Sequence, residues 1–501
     1  MSVDQLREEI RKKRDEGLSI VHCHGTFDLL HPGHIKHFEQ ASRFGDVLVV
    51  TVTAAAYVNK GPDRPCFNDE MRCFSLASLS MIDFVCLSHA KDAINIIGEI
   101  QPDYYVKGEE YKDYSSDVTQ KIKPEADAVA ACGGCIKFTT GQTFSSSKLI
   151  NKHFSGFSEN TKDYLNTLRS QMSSESVLAA LDEVQDLRVL VVGDPIVDQY
   201  QYVDPLGMTG KGVHLVAKSI SEESYLGGCF AIARQIRELG AQVQLLSVFN
   251  DQDPEYQQMA GQLLGIHIRT IPVSQNILRK KRFVLKDKDL ISKLFETYSC
   301  GYEELEPEQT NELMDALSDL AKDVDLILVC DFGNGMISQT IRNHLSGLEP
   351  FLAINAQVNS GNRGYNVVTH YSRADYICMN EPELRLTCRS KTASVEDMGW
   401  STLENLRAKF LSCTKGTKGV SFFEKGVGES MVPALSQKVV DRVGAGDAYF
   451  GTSAVCLAKG ISPVMAPFLG SLAASLNVQV VANKEAFTLG DLKKYIMAIM
   501  K

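Results

Sequence analysis

HGTFDLLHPGH, residues 24–34, follows a short apolar run at Ile20 and Val21, leads into the helical pattern HIKHFEQASRF, and holds three histidines, a proline and two glycines. A strand that passes through a tight turn into a helix is half of a crossover unit. The same alternation continues to about Ile150 through DVLVVTVT, NDEMRCFSLASLS, DFVCLS, AINIIGEI and DYYVKG. The N-terminal block is therefore expected to be α/β with a parallel sheet, and its ligands to bind beyond the C-terminal strand ends, where the turn lies. Gly25 admits close backbone approach to a ligand, Pro32 suits a helix start, and Gly33 leaves space that a side chain would fill. His31 and His34 then face one point beside free N–H groups, a place where charge on a transferred phosphorus is stabilised. Half-buried histidines without chemistry, or a metal on His31, His34 and His37, are the competing readings, and the metal lacks a nearby carboxylate pattern.

The chain has 501 residues, more than one hydrophobic core usually serves, so two domains are expected. A polar stretch near residues 153–186 separates the first block from a second alternation: RVLVVGD, QVQLLSVF, LILVCDF, PFLAINA and ADYICMN. Within the second block DRVGAGDAYFG, Asp441 to Gly451, sits between a predicted strand, QKVV, and a helical pattern. Its glycines let successive N–H groups converge on an anion at the helix start, and Asp447 stands where a general base for a hydroxyl belongs. Spacing alone leaves open a tight turn with no function.

The net charge of −10 argues against a broad nucleic-acid surface and suits small anionic substrates. No apolar run approaches the roughly 20 residues of a membrane span, and the N-terminus is a charged amphipathic helix, so a cytoplasmic protein is expected. The thirteen cysteines are scattered among buried-strand patterns and read as reduced thiols. CGGC, Cys132 to Cys135, has metal or redox spacing but no second pair, and reads as a Gly-Gly turn entering a strand.

GTFDLLHPGH resembles the signature of the cytidylyltransferase-like nucleotidyltransferases, and four more segments match in order: Lys60 in NKGPDRP, Arg72 in NDEMR, Lys107 and Gly108 in VKGEEY, and Ser145 to Ser147 in FSSSKLI. The resemblance implies a Rossmann-like domain over residues 1–152. In it His31 and His34 stabilise the transition state, Lys60 and Arg72 clamp phosphates, and Gly25, Thr26, Phe27, Asp28, Lys107, Gly108, Ser145, Ser146 and Ser147 bind the nucleotide. A phosphate oxygen attacks the α-phosphorus, pyrophosphate leaves, and no covalent nucleophile is needed. The opening turn is closest to the cytidylyltransferases. VKGEEY and TTGQTFSSS, with Thr140 near the place of a cytidylyltransferase arginine, look more like the adenylyltransferase half of the bifunctional heptose enzymes.

From Leu187 onward the chain resembles the ribokinase-like (PfkB) sugar kinases, through VVGDPIVDQY, LGGCFAIARQIRELGA, NEPE, TKGTKG and the GAGD element in family order. That implies an α/β kinase domain over 187–501 with a small β lid, after a linker and helical lead-in at 153–186. Asp194, Asp198, Gly227 and Gly228 would contact the sugar, with Lys280, Arg282 and the segment around Lys293 as weaker matches. Asn380 and Glu383 would hold Mg2+ through water, Thr414 and Gly416 would lie near the nucleotide, and Gly444, Ala445 and Gly446 would form the anion hole beside Asp447. Three departures touch the acceptor side: Ala231 where G-G-A-x-N has asparagine, Asn355-Ala-Gln357 where D-P-x is common, and DRVGAGD for DTTGAGD.

Together the two resemblances imply a bifunctional sugar-activating enzyme like the heptose 7-phosphate kinase and heptose 1-phosphate adenylyltransferases, with the domains in reversed order. Expected substrates are sugar phosphates, ATP for the kinase and ATP or CTP for nucleotidyl transfer, with Mg2+; a homodimer is expected, and neither nucleic acid nor membrane. The alternative is an alditol-phosphate cytidylyltransferase whose kinase-like domain supplies the phosphate or serves as a sugar-sensing or dimer-forming module.

Overall fold

The computed structural model describes residues 1–58, 64–90, 92–112, 122–140, 157–287, 290–299, 304–362, 364–436 and 439–500. Lys60 and Ser145 to Ser147 lie outside them. The chain divides into two compact units, residues 1–156 with 493–501, and residues 157–492.

The first unit is built on five strands, β1 (Ile20–Gly25), β2 (Val47–Thr53), β3 (Phe84–Ser88), β4 (Tyr104–Gly108) and β5 (Cys135–Thr139), in the order β3-β2-β1-β4-β5 and all parallel. Every residue of β2 is buried. Val47 and Val49 join one core, with Leu6, Ile10 and Ile97, while Leu48, Val50 and Val52 join the other, with Phe38 and Leu76. A strand covered on both faces reads as a continuous apolar run for this reason. The direction of winding reverses between β1 and β4, which opens a crevice at their C-terminal ends. The helix Val3–Asp15 starts at a reciprocal Ser2–Gln5 capping box.

CGGC closes the helix Ile122–Ala131: the N–H groups of Gly133 and Gly134 donate to the carbonyls of Ala130 and Val129, at 3.0 and 3.1 Å. Gly133 is left-handed at φ +82°, and a Cβ on Gly134 would collide with the Pro102 carbonyl. Cys135 then opens β5. Among the described residues no group of three His, Cys, Asp or Glu is placed to hold a metal.

The second unit opens with the helices Glu159–Gln171 and Ser174–Asp182, each capped by a serine. Its main sheet contains β6 (Arg188–Gly193), β9 (Gln242–Val248), β10 (His267–Ile271), β13 (Leu326–Asp331), β14 (Phe351–Ala356), β15 (Tyr376–Asn380), β16 (Phe410–Thr414), β17 (Val420–Glu424) and β18 (Gly428–Val432). The order is β10-β9-β6-β13-β14-β15-β16-β17-β18, parallel up to β16 and antiparallel beyond. Its switch point falls between β6 and β13. A separate sheet in the order β12-β11-β7-β8 is made by β7 (Pro195–Met208), β8 (Leu215–Gly228), β11 (Leu278–Asp287) and β12 (Leu290–Ser299).

The strand expected at QKVV does not form at Val439 and Val440. The Val440 N–H donates to the Val478 carbonyl at 2.8 Å, so this backbone is satisfied by the C-terminal end of the helix Met465–Asn477 rather than by a neighbouring strand. Gln437 and Lys438 lie outside the described residues.

Candidate functional site

In the first unit β1 ends at Gly25, and Phe27 adopts a left-handed φ of 46° that folds its ring back against that glycine. A Cβ on Gly25 would lie 2.9 Å from the ring. The Phe27 ring then meets His34 edge-on, with centroids 5.5 Å apart. His31 caps the helix Pro32–Ala41, its Nδ1 accepting the His34 N–H at 3.3 Å, and its ring stacks on His34 at 3.9 Å and 15°. An acceptor role at Nδ1 puts the proton of His31 on Nε2, and burial pushes its imidazole below the usual value, so it donates as a neutral ring.

Two buried side chains brace the turn. Asp28 accepts the N–H groups of Cys66 and Phe67, each at 3.0 Å, and lies 3.6 Å from the Arg64 guanidinium. Arg72 was expected at the phosphates. It is buried instead, donating to the carbonyls of Thr26 at 2.6 Å and Phe67 at 3.1 Å and pairing with Asp69 at 2.5 Å. As placed, it holds the histidine turn in shape. Arg72→Met should leave those carbonyls and Asp69 uncompensated and destabilise the unit by about 3 kcal/mol. Denaturant unfolding of the full chain reads this, and an unchanged midpoint would contradict the bracing role.

Behind the turn, Thr51 bonds His22 at 2.7 Å and His24 at 2.8 Å, and Thr53 bonds His24 at 3.1 Å. Across the crevice Lys107, near the end of β4, pairs with Glu125 at 2.7 Å, and Tyr105 donates to the same carboxylate at 3.0 Å. Gly108 is the last residue of β4. Burial, with Lys107 adding, pushes His37 down to about 4, and His37 bonds Thr139 at 2.8 Å. Thr140, at the place of the cytidylyltransferase arginine, exchanges bonds with Gln40 at 2.7 and 2.8 Å.

In the second unit the predicted acceptor residues come together. Asp194, just past β6, accepts the N–H groups of Phe332 at 3.0 Å and Asn334 at 3.3 Å. Burial, with the Asp331 charge adding, pushes Asp194 up to about 7. The glycine pair has a packing reason. A Cβ on Gly227 would collide with the Asp198 carboxylate, and one on Gly228, at φ +57°, would reach the Asp194 carbonyl at 2.5 Å.

Arg282 pairs with Asp198 and lies 3.3 Å from Glu296. Lys280 lies over the rings of Tyr298 and Phe332, and burial pushes its ammonium down. A cavity of about 400 Å³ adjoins these groups, lined among others by Asp194, Phe249, Tyr298, Asn334, Asn359 and Asn362. Its mixture of aromatic and amide walls suits a polyhydroxylated ligand.

Gly444, left-handed at φ +83°, caps the helix Ala445–Ala458, so Ala445, Gly446 and Asp447 form its first turn. Burial, then the Asp198 charge, pushes Asp447 up to about 7, against Lys280 and a 2.9 Å hydrogen bond from Gln357. Asp441, which opens this segment, binds the Tyr200 hydroxyl at 2.6 Å and Lys293 at 2.9 Å. Burial raises Asp441, but Tyr200 and Lys293 hold it below the ordinary carboxylate value. The small sheet is thereby tied to the GAGD segment.

Asn380 caps the helix Glu381–Thr387 in a reciprocal box with Glu383, whose second oxygen accepts Val358 N–H at 3.3 Å. Asn380 pairs in register with Thr414, and Gly416 turns the chain after it at φ +58°. Of the departures, Ala231 is buried in the first turn of the helix Cys229–Glu238, and Asn355 donates to the Cys378 carbonyl at 2.8 Å. Sequence reasoning missed Gln357 as a partner of Asp447 and Glu125 as the partner of Lys107. A glutamine after a strand and a glutamate in a helix carry no local signal of their partners.

A doubly wound sheet, a separate four-stranded sheet tied to the GAGD segment through Asp441 and a helix that starts at Gly444 make the second unit a ribokinase-like α/β domain. Residues 186–486 match the model of the pfkB family carbohydrate kinases, and the chain belongs to that family. Residues 22–152 match the cytidylyltransferase-like model, so the cytidylyltransferase-like domain precedes the kinase-family domain.

Curated relatives include proteins named bifunctional protein HldE. That of Syntrophotalea carbinolica is 37% identical over 110 residues, 22% of each chain. That of Campylobacter jejuni subsp. doylei is 38% identical over 143 residues, 28% of each. The chain thus spans about a quarter of the length of the curated relatives it matches. Escherichia coli phosphofructokinase-2 in complex with potassium superimposes with a TM-score of 0.51 at 13% identity, covering 63% of this chain and all of that one, a likeness of fold. No described helix is long and apolar enough to cross a membrane.

Proposed function

We propose that this chain performs two phosphate-transfer steps of sugar activation: ATP-dependent phosphorylation of a heptose phosphate in the domain 187–501, and transfer of a nucleotidyl group from ATP or CTP to a sugar 1-phosphate in the domain 1–152. The observation that carries the kinase reading is Asp447, poised near neutrality at the start of a helix whose N–H groups suit a phosphate. Its carboxylate accepts the proton of the sugar hydroxyl as that oxygen attacks the γ-phosphorus, while Gly444, Ala445 and Gly446 stabilise the charge of the transferred group. Asp194 and Asp198 orient the sugar hydroxyls, with Lys280 and Arg282 beside them. Thr414 and Gly416 lie toward the nucleotide.

Glu383 suits a magnesium ion held through water. Its carboxyl is pushed up to about 7 by burial, with the Asp447 charge adding, so two crowded acids stand where a divalent cation is stabilised. When bound, the ion neutralises phosphate charge, and Asn380 with Glu383 would hold its water shell.

In the first domain the support is the stacked His31–His34 pair at the helix start. There the sugar phosphate displaces pyrophosphate with no covalent intermediate, Lys60 and Ser145 to Ser147 completing the phosphate contacts as the resemblance implies. The likeness of VKGEEY and TTGQTFSSS to the adenylyltransferases, with Thr140 in place of arginine, favours the adenylyl over the cytidylyl donor. A panel of ATP, CTP and GTP with heptose 1-phosphate and alditol phosphates tests this by pyrophosphate release. ATP with heptose 1-phosphate is expected to turn over fastest, and turnover only with CTP and an alditol phosphate overturns it.

A homodimer is part of the reading. The β7–β8 hairpin exposes Leu206, Met208, Val213, Leu215, Val216 and Ile220, an apolar surface suited to a second copy. Sedimentation should give a dimer that Leu206→Lys with Ile220→Lys converts to monomer. A monomeric wild type would contradict it.

A further inference from the structure

We propose that Gln357 is the positioning residue for Asp447: its side-chain amide fixes one carboxylate oxygen and so presents the other to the acceptor hydroxyl. This deepens the reading of Asp447 as the general base and rests on it. Gln357 Nε2 donates to Oδ1 of Asp447 at 2.9 Å, and among the described residues it is the one side chain that donates to this carboxylate. A carboxylate is otherwise broad in its terminal rotation, so one fixed oxygen defines the direction of the other.

The backbone that carries this amide is held on both sides. The Gln357 N–H donates to the Asp331 carbonyl at 2.8 Å, and its carbonyl accepts Nδ2 of Asn366 at 3.1 Å and of Asn362 at 3.3 Å. Asn366 also donates to Asp331 Oδ1 at 3.0 Å and accepts from Arg342 at 2.8 Å, and Arg342 reaches Asp331 Oδ2 at 3.1 Å. Asp331 is wholly buried and also accepts the Tyr371 hydroxyl at 2.8 Å. This network joins the ends of β13 and β14, and Gln357 is its outermost member toward the base. The charged and titratable groups around Asp447 are Asp198 from β7, Lys280 from β11, Glu383 from the helix Glu381–Thr387, and the thiols of Cys330 and Cys378 from β13 and β15. Against them the neutral amide sets direction without adding charge.

The test is steady-state ADP formation by the full chain with ATP, Mg2+ and heptose 7-phosphate across pH, comparing wild type, Gln357→Glu, Gln357→Leu and Asp447→Asn. Glutamate keeps the shape of glutamine, so a role in packing alone predicts wild-type kinetics for Gln357→Glu. Positioning predicts that both Gln357 variants lose about tenfold in kcat, with KM for the sugar within about twofold. In Gln357→Glu the acid limb moves up by roughly one pH unit, since two facing carboxylates do not both ionise readily. Should Gln357→Leu fail to fold, judged by its unfolding midpoint, the isosteric variant decides. Wild-type kcat and pH profile in Gln357→Glu, with Asp447→Asn inactive, overturns the positioning role and leaves the base standing. An Asp447→Asn enzyme as active as wild type overturns the base, and this inference with it.

Discussion

Asp447→Asn is expected to lower sugar-dependent ADP formation by about a thousandfold, the span of a positioned general base. Asparagine keeps the volume and the place in the first helical turn, so the anion hole of Gly444 to Gly446 persists while the proton acceptor is lost. The native profile is diagnostic. Burial and Asp198 push Asp447 up to about 7, and a protonated carboxyl accepts no proton, so kcat should fall as pH drops below about 7 and level off above it. Asp194, also raised to about 7, sharpens the same limb. A wild-type rate flat through neutrality, or an Asp447→Asn rate within about threefold of native, would remove Asp447 from the chemistry.

His34→Ala is expected to cut pyrophosphate release by about a hundredfold or more, the usual loss for one preorganised donor to transition-state charge. The His34 ring is fixed by Phe27 on its edge and His31 on its face, at 5.5 and 3.9 Å, so it reorganises little as charge develops. Alanine also removes the ring on which His31 stacks. The loss should therefore exceed that of His31→Ala, which leaves His34 against Phe27. Equal pyrophosphate release in His34→Ala and wild type would sink the assignment.

Much of the fold was legible because it rests on local rules. Runs such as DVLVVTVT announce a strand buried on both faces, and Pro32 after His31 announces a helix start. QKVV misled because an apolar run before a glycine turn looks like a strand, whereas Val440 finds its partner at a helix end far along the chain. Candidate site residues were legible where a motif concentrates them, as in GAGD and the glycine pair at Gly227 and Gly228. Partners brought in by tertiary packing were not: Gln357 arrives from β14 at Asp447, and Glu125 from a helix at Lys107. Arg72 has structural partners that its motif does not announce. The motif located the residue, but only the structure showed its bonds to Thr26, Phe67 and Asp69.

Two phosphate-transfer sites on one chain should lose activity one at a time. The most direct measurement follows ADP and pyrophosphate together by phosphorus NMR, with ATP, Mg2+, heptose 7-phosphate and heptose 1-phosphate supplied to wild type, Asp447→Asn and His34→Ala. Wild type should yield both products, Asp447→Asn should lose ADP alone, and His34→Ala should lose pyrophosphate alone. One product only from wild type, or both lost in either variant while it remains folded, would contradict it.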